Sequence, residues 1–189
     1  MNAEVEVVNE KVLDLSEFRE IGKEATFTIS SAKPGNGVEQ LRDNNMETYW
    51  QSDGSFPHCI NIQFLKRVAV AKLCIYLDYA ADESYTPRKL SVSSGTCIHD
   101  LMDIATVDLT EPVGWVMISL KSDDVEITGE EYLRTHFLQV KVLAMHQNGR
   151  DSHVRQVKLL GPRSSPRVMG DYTYDSFQTA EMQQYALIR

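Results

Sequence analysis

Over much of the chain, apolar side chains return at every second position in short runs separated by turn residues. Ile60-Asn61-Ile62-Gln63-Phe64 is the clearest run. There, apolar residues alternate with amides, as in a strand with one face in a core and the other turned outward. Val68 through Leu73, Ile75 and Leu77 reads as the next strand, and Leu90-Ser91-Val92-Ser93 as a shorter one before a turn at Gly95. The theme repeats over Ile104 to Leu109, Trp115 to Leu120, Phe137 to Leu143 and Val154 to Leu160. Between these runs lie Pro112-Val113-Gly114, an acidic stretch at Asp123-Asp124, and Gln147-Asn148-Gly149. Regularly spaced strands without long amphipathic helices predict an all-β fold, a sandwich or barrel rather than a parallel α/β sheet. Short helical turns are expected over Gly37 to Leu41 and over Leu13 to Ile21.

The pattern stops after Gly161-Pro162. Arg163-Ser164-Ser165-Pro166-Arg167 is polar and turn-rich, and only scattered apolar positions follow. The predicted organisation is therefore an acidic N-terminal extension over 1–18, one domain over 19–161, and a flexible tail over 162–189. With 189 residues, the chain is long enough to bury one substantial core without staples.

Charge and cysteine usage narrow the function classes. Lys and Arg total 19 against 27 Asp and Glu, a net charge of −8 that argues against gripping a phosphate backbone. Cys59, Cys74 and Cys97 are an odd set without metal-ligand spacing, as expected of reduced thiols in an intracellular compartment. The N-terminal stretch carries Glu4, Glu6, Glu10, Asp14 and Glu17, and it lacks the basic and apolar regions of a signal peptide. No apolar run approaches the roughly 20 residues of a membrane-spanning helix. A soluble protein without nucleic-acid or membrane partners is expected.

Two polar clusters stand out. His146-Gln147-Asn148-Gly149-Arg150-Asp151-Ser152-His153 joins two predicted strands. Turn chemistry accounts for Asn148-Gly149, but not for two histidines, an Arg and an Asp beside it, and loops at the end of a sandwich are where binding residues are displayed. Leu41 to Gly54 is the second cluster. In it Trp50 reads as a core anchor and Asp43 or Thr48 as a turn cap, while Gln51, Ser52 and Asp53 offer donors and acceptors just after the anchor. Asp82-Glu83-Ser84-Tyr85-Thr86-Pro87 is expected at the same end of the sandwich. His146, Asp151 and His153 as metal ligands, or Ser152 with His153 as nucleophile and base, make incomplete sites: adjacent strand residues point to opposite faces, and no compact third ligand accompanies them. Neither catalytic residues nor a metal or other cofactor is expected.

Several motifs occur in the order seen in the Doc domain: Arg19-Glu20-Ile21-Gly22, Lys33-Pro34-Gly35-Asn36-Gly37-Val38, Thr48-Tyr49-Trp50-Gln51-Ser52-Asp53-Gly54, Asp82 to Pro87 and His146 to Asp151, with a terminal Ile188-Arg189. The chain thus resembles the Doc-domain subunits of the anaphase-promoting complex from about Arg19 to Gly161, and again in its last two residues. Ala32 stands where relatives commonly have Cys, and Phe27 where Trp is usual; both read as core substitutions.

The resemblance implies a jelly-roll sandwich similar to galactose-binding domains, with a ligand site in the loops at one end. It implies a non-catalytic subunit that helps a ubiquitin ligase of the cell cycle, in the nucleus and cytoplasm, to hold its substrates. Substrates would be held through their destruction box, together with a WD-repeat coactivator. The residues carried over are Gln51, Ser52, Asp53, Tyr85, Thr86, Asn148, Gly149, Arg150, Asp151 and His153. It also implies that Ile188 and Arg189 dock in a tetratricopeptide-repeat subunit while other subunits contact the body. A carbohydrate-binding module is the alternative, with Trp50 or Tyr85 stacking on a sugar ring.

Overall fold

The computed structural model describes residues 4–8, 16–121 and 132–163. Among them, the strands are β1 (Val5–Val8), β2 (Phe18–Glu20), β3 (Ala25–Ile29), β4 (Trp50–Gln51), β5 (His58–Val70), β6 (Lys72–Asp78), β7 (Pro87–Gly95), β8 (Met102–Asp108), β9 (Val113–Ser119), β10 (Leu133–Met145), β11 (His153–Val154) and β12 (Gln156–Pro162). One short helix, α1 (Tyr79–Asp82), follows β6.

Two five-stranded sheets, ordered β1-β9-β6-β12-β2 and β3-β5-β10-β7-β8, carry the fold, and β4 pairs with β11 in a third, two-stranded sheet. Every strand pair is antiparallel. The architecture is the expected all-β jelly-roll sandwich.

The core lies where the alternation places it. Ile60, Ile62, Leu138, Val140, Val142, Leu90 and Val92 from one sheet pack in a single cluster with Leu73, Ile75, Leu77, Val116, Ile118, Val157 and Leu159 from the other. Asn61 pairs with Gln139 across the ladder, on the face opposite the buried Ile60 and Ile62. A slip of one residue would put both amides in the core, so burial itself sets the register. The β6 sheet is also covered on its outer side, where Cys74, Tyr76, Trp115 and Leu160 form a second buried cluster with Phe18, Met46 and Met117. Double-sided burial explains why Leu73 to Leu77 is apolar without alternation.

Three boundaries differ from expectation. The run Val68 to Leu77 is two strands: Val68 and Val70 end β5 opposite Thr135 and Leu133, whereas Leu73 onward belongs to the other sheet. The chain crosses at Ala71, whose backbone bonds Leu160 and Leu120, and both halves are apolar because the same core receives them. Val154 to Leu160 also divides, with β11 pairing β4 and β12 pairing β6 and β2. The helical turn expected over Leu13 to Ile21 lies partly outside the described residues; within them Phe18–Glu20 is a strand, and a 3-10 turn follows at Gly22–Glu24. The turn expected at Gly37 to Leu41 is present as a 3-10 turn at Val38–Leu41. Residues 5–8 of the N-terminal extension form a strand on the edge of the sheet, paired with β9.

β5 also bulges. Gln63 faces Phe137 and Val68 faces Thr135, so Phe64 to Arg67 stand opposite His136 alone. Leu65 is thrown out of the sheet at 98% exposure, while Leu138 is at 0%. Leu138→Ala is expected to destabilise the protein by roughly 2–5 kcal/mol, and Leu65→Ala to stay within about 0.5 kcal/mol, in denaturant titrations followed by intrinsic fluorescence.

Candidate functional site

Three stretches of chain distant in sequence meet at one end of the sandwich, beyond the start of β5. The first runs from β4 through Pro57, the second is the turn after α1 at 82–86, and the third links β10 to β11 at 146–153.

A clip joins the first and third. His153 and Val154 pair with Gln51 and Trp50. The Ser52 amide donates to Ser152 O at 3.0 Å, and the Ser152 amide donates to Ser52 Oγ at 2.7 Å. Trp50 anchors the clip from below, fully buried, with Nε1 donating to Ser31 O at 2.8 Å. The turn before it is shaped by Asp43, which accepts from the Asn45 amide at 2.8 Å and from the Thr48 hydroxyl at 2.5 Å.

The second and third stretches are fitted together by close backbone approach. His146 donates from Nδ1 to Thr86 O at 3.0 Å and accepts at Nε2 from the Glu111 amide at 3.3 Å, so both ring nitrogens are used. Gln147 and Asn148 then take left-handed φ values of 50° and 56°, a conformation Asn tolerates better than most residues. This bend brings Gly149 against the 83–85 turn: a Cβ on Gly149 would lie 1.9 Å from Ser84 O. Glu83, in that turn, is itself held at φ 46°.

Beneath the loops lies a buried charged group. The Arg155 guanidinium grips the Asp82 carboxylate twice, Nε to Oδ2 at 2.9 Å and Nη2 to Oδ1 at 3.0 Å, and its Nη1 donates to Met46 O at 2.7 Å. His153 Nδ1 lies 3.1 Å from Asp82 Oδ1. Tyr49 and Tyr85 stack on the His153 ring at centroid distances of 4.0 and 4.3 Å; two rings that close to parallel occupy its opposite faces. Burial pushes the Asp82 carboxyl up, but hydrogen bonds from His153 and Arg155, with the Arg155 charge, outweigh it and hold the group below its ordinary value of 3.8.

A second histidine supports the other flank. His58, fully buried, donates from Nε2 to Arg150 O at 2.7 Å, and the Phe56 ring tilts against it at 4.3 Å. Four buried polar atoms at this end, His58 Nδ1, Thr86 Oγ1, Ser152 Oγ and His153 Nε2, have no hydrogen-bond partner. With nothing bonded to His153 Nε2, the Ser152–His153 nucleophile-and-base geometry is not assembled. Among the described residues, no group of three or more His, Cys, Asp or Glu is placed to hold a metal ion.

The model of the family "Anaphase-promoting complex, subunit 10" matches residues 3–186 of this chain. The chain belongs to that family. An "Anaphase-promoting complex subunit 10" of Drosophila melanogaster is 47% identical over 171 residues, covering 90% of this chain and 85% of the relative. The Homo sapiens protein of the same name is 53% identical over 144 residues, covering 76% of this chain and 75% of its own. Among solved structures, the CBM32-1 and CBM32-2 domains of Clostridium perfringens ZmpB align with a TM-score of 0.69 at 13% identity, over 85% of this chain and 41% of that one. The family 32 module of C. perfringens NanJ, solved with galactose, aligns at 0.59 and 10% identity, over 74% and 95% of the two chains. At these identities the likeness is one of fold.

The residues expected at the site do gather at this end, but at different depths. Asp53, Tyr85, Asn148 and Arg150 are exposed, and Gly149 and Asp151 are half-buried. Gln51, Ser52, Thr86 and His153 are buried. Ile188 and Arg189 lie outside the described residues. Tyr49, Phe56, His58 and Arg155 were not singled out from sequence, and Asp82 only as part of an acidic loop. Arg155 left no distinct signal, since Gln156 and Lys158 stand in the same run.

Two outcomes follow from this packing. Asp82→Asn strips the compensating charge from buried Arg155 and should destabilise the fold by about 3–5 kcal/mol in equilibrium unfolding. Because the folded carboxyl titrates below its unfolded value, its contribution is complete above about pH 4 and is lost as pH falls through the folded value; the acid-induced drop in melting temperature should therefore be shallower in Asp82→Asn than in wild type. Gly149→Ala forces the 146–149 and 83–85 turns apart, an overpacking strain of about 1–3 kcal/mol, and hydrogen exchange should quicken at the Thr86 and Gly149 amides.

Proposed function

We propose that the chain is a non-catalytic substrate-binding subunit of the anaphase-promoting complex, a ubiquitin ligase acting in the nucleus and cytoplasm. The loop end is a shallow polar surface for an extended destruction-box peptide, whose other side is held by a WD-repeat coactivator. The observation that carries this reading is the convergence of the three loops, with Asp53, Asn148, Arg150 and Asp151 displayed on a buried scaffold of Asp82, His153 and Arg155. Rigid support beneath exposed polar groups is what a binding surface needs. Asn148 offers amide donors and acceptors to a peptide backbone, Asp151 accepts from a cationic group, and Arg150 orients Asp151 or the peptide. Gln51, Ser52, Thr86 and His153 act from below: they hold the loops, and His153 sets the Tyr85 ring.

A shallow surface of this kind binds peptide weakly alone, at about 10⁻⁴ to 10⁻³ M. Its effect comes when the coactivator holds the same peptide and raises the effective concentration. The carbohydrate reading loses one aromatic platform and part of the other: Trp50 is fully buried, and one face of Tyr85 is taken by His153.

Assembly is proposed to use Ile188 and Arg189 as the element docking in a tetratricopeptide-repeat subunit, with other subunits on the body. Burying Ile188 contributes about 1.5–3 kcal/mol, and the charge-assisted bonds of Arg189 about 1.5–3 kcal/mol each. Ordering the tail offsets part of this, so a second contact through the body is required.

The test replaces Asn148, Arg150 and Asp151 with Ala together in the assembled complex. Expected are a melting temperature lowered only by the strain of Ala at the left-handed 148 position, normal incorporation, and fewer ubiquitins added per substrate encounter through faster release. Wild-type processivity on a destruction-box substrate would place the site elsewhere. Deleting Ile188 and Arg189 should instead weaken recovery with the repeat subunit at unchanged melting temperature.

A further inference from the structure

Away from the loops, the β5 bulge makes a rigid projection. Phe64 and Val68 are buried in the core and hold it at both ends, while Leu65, Lys66 and Arg67 between them are exposed. Arg67 Nε donates to Arg134 O at 3.2 Å, tying the projection back to β10. The 3-10 turn at Gly22–Glu24 lies alongside, because Ala25, the next residue, pairs with Phe64. Lys23, Glu24, Phe64, Leu65, Lys66 and Val68 together line a groove of about 610 Å³. A bulge re-aims side chains that a regular strand would hold in its alternation, and at 98% exposure Leu65 contributes almost nothing to the fold.

The groove is basic on an acidic chain. Lys23, Lys66 and Arg67 form no ion pair with a described carboxylate, and the carboxylate on the rim, Glu24, is taken by Arg19 at 2.6 Å. The whole chain carries a net charge of −8, so this patch stands against the surrounding field and favours an acidic counterpart. Three cations around a leucine are too few and too apolar a surface to grip a nucleic-acid backbone. The groove is also remote from the peptide surface: Leu65 is seven residues along β5 from His58, roughly 20 Å at about 3.3 Å per residue. The end of β12 lies on the groove's side instead. A Cβ on Gly161 would lie 2.8 Å from Ala69 O, and Arg163, the last described residue, donates from Nε to Phe18 O at 3.1 Å. The segment leading to Ile188 and Arg189 therefore starts from the same end of the sandwich as the groove.

We propose that the Leu65 bulge and its groove are the surface by which the body docks on another subunit of the complex, taking an acidic segment that sets an apolar side chain against Leu65 and carboxylates against Lys23, Lys66 and Arg67. This rests on the reading that assembly uses a contact through the body besides the tail. Leu65 supplies the apolar burial, and the three cations steer the segment and fix its register. Because tail and groove leave from one end, each raises the effective concentration at the other, and the loop end is left free for substrate.

The experiment measures binding of the labelled full chain to complex purified without it, over a range of salt. The variants are Leu65→Ser, Lys23→Glu with Lys66→Glu, and, as an equal change of charge at exposed positions elsewhere, Lys33→Glu with Arg88→Glu, each with and without Ile188 and Arg189. Leu65→Ser and the Lys23/Lys66 pair are expected to weaken binding about tenfold at unchanged melting temperature, the Lys23/Lys66 pair also flattening the salt dependence, with little effect of the Lys33/Arg88 pair. If the tail-deleted chain still binds but neither groove variant weakens it, the groove is refuted and a body contact stands elsewhere. If tail deletion abolishes binding and the groove variants have no effect in the full chain, the body contact falls as well. An equal loss in the Lys33/Arg88 pair makes the effect one of net charge and refutes the groove. Self-association of the isolated chain that Leu65→Ser abolishes in sedimentation also overturns the proposal, since the occupant is then a second copy. So does a melting temperature lowered by the Lys23/Lys66 change, since the chain's own acidic 122–131 segment then fills the groove.

Discussion

A carboxylate with almost no access to solvent organises the loop end of this sandwich. Asp82 ends α1, Arg155 lies between β11 and β12, and His153 sits in β11, so one buried charge ties the 82–86 turn to two strands. An isolated charge at that depth is strongly unfavourable. The two-pronged grip of Arg155 compensates it, and the third guanidinium nitrogen, spent on Met46 O, ties in the segment before β4 as well. Tyr49 and Tyr85 close over the histidine from either face. The other links join the stretches in pairs: the Ser52–Ser152 clip, the His146 bond to Thr86 O and the His58 bond to Arg150 O.

The sandwich supplies the rigid base for that arrangement. The β6 sheet is covered on both faces, and the clusters on its two sides leave little room for a strand to shift. β6 leads directly into α1, and β12 follows Arg155 by one residue. The charge pair is thus mounted on adjacent strands that are themselves fixed by burial, and precision in the core is transmitted to the loops. The tight approach of Gly149 to Ser84 O works in the same direction, because it admits only one fit between the two turns.

Function in this scheme divides by depth. Residues that would touch a peptide are those the scaffold pushes outward: Asp53, Tyr85, Asn148, Arg150 and, at the margin, Asp151. The buried polar residues hold them in place. Such a division suits a subunit whose contribution is to slow release, because a preorganised surface loses little entropy when a peptide settles on it. The fold is shared with carbohydrate-binding modules at 10–13% identity, and a shared fold does not by itself carry a shared function.

Hydropathy alternation is a local property, and whatever depends on it could be read from the chain alone. That includes the all-β class, the inward faces of Ile60 to Phe64 and Phe137 to Leu143, the buried Trp50, and the loops rich in polar residues. Local pattern does not report which sheet receives a strand, so the crossing at Ala71 inside an unbroken apolar run was decided only in three dimensions. Nor does it report the depth of a polar residue. Ser52 and His153 are as polar in sequence as Asp53 and Arg150, yet the first two are buried because their partners, Ser152 and Asp82, arrive from 100 and 71 residues away. Burying a polar group is costly unless a partner meets it, and where that partner is remote in sequence the meeting is a property of the tertiary structure.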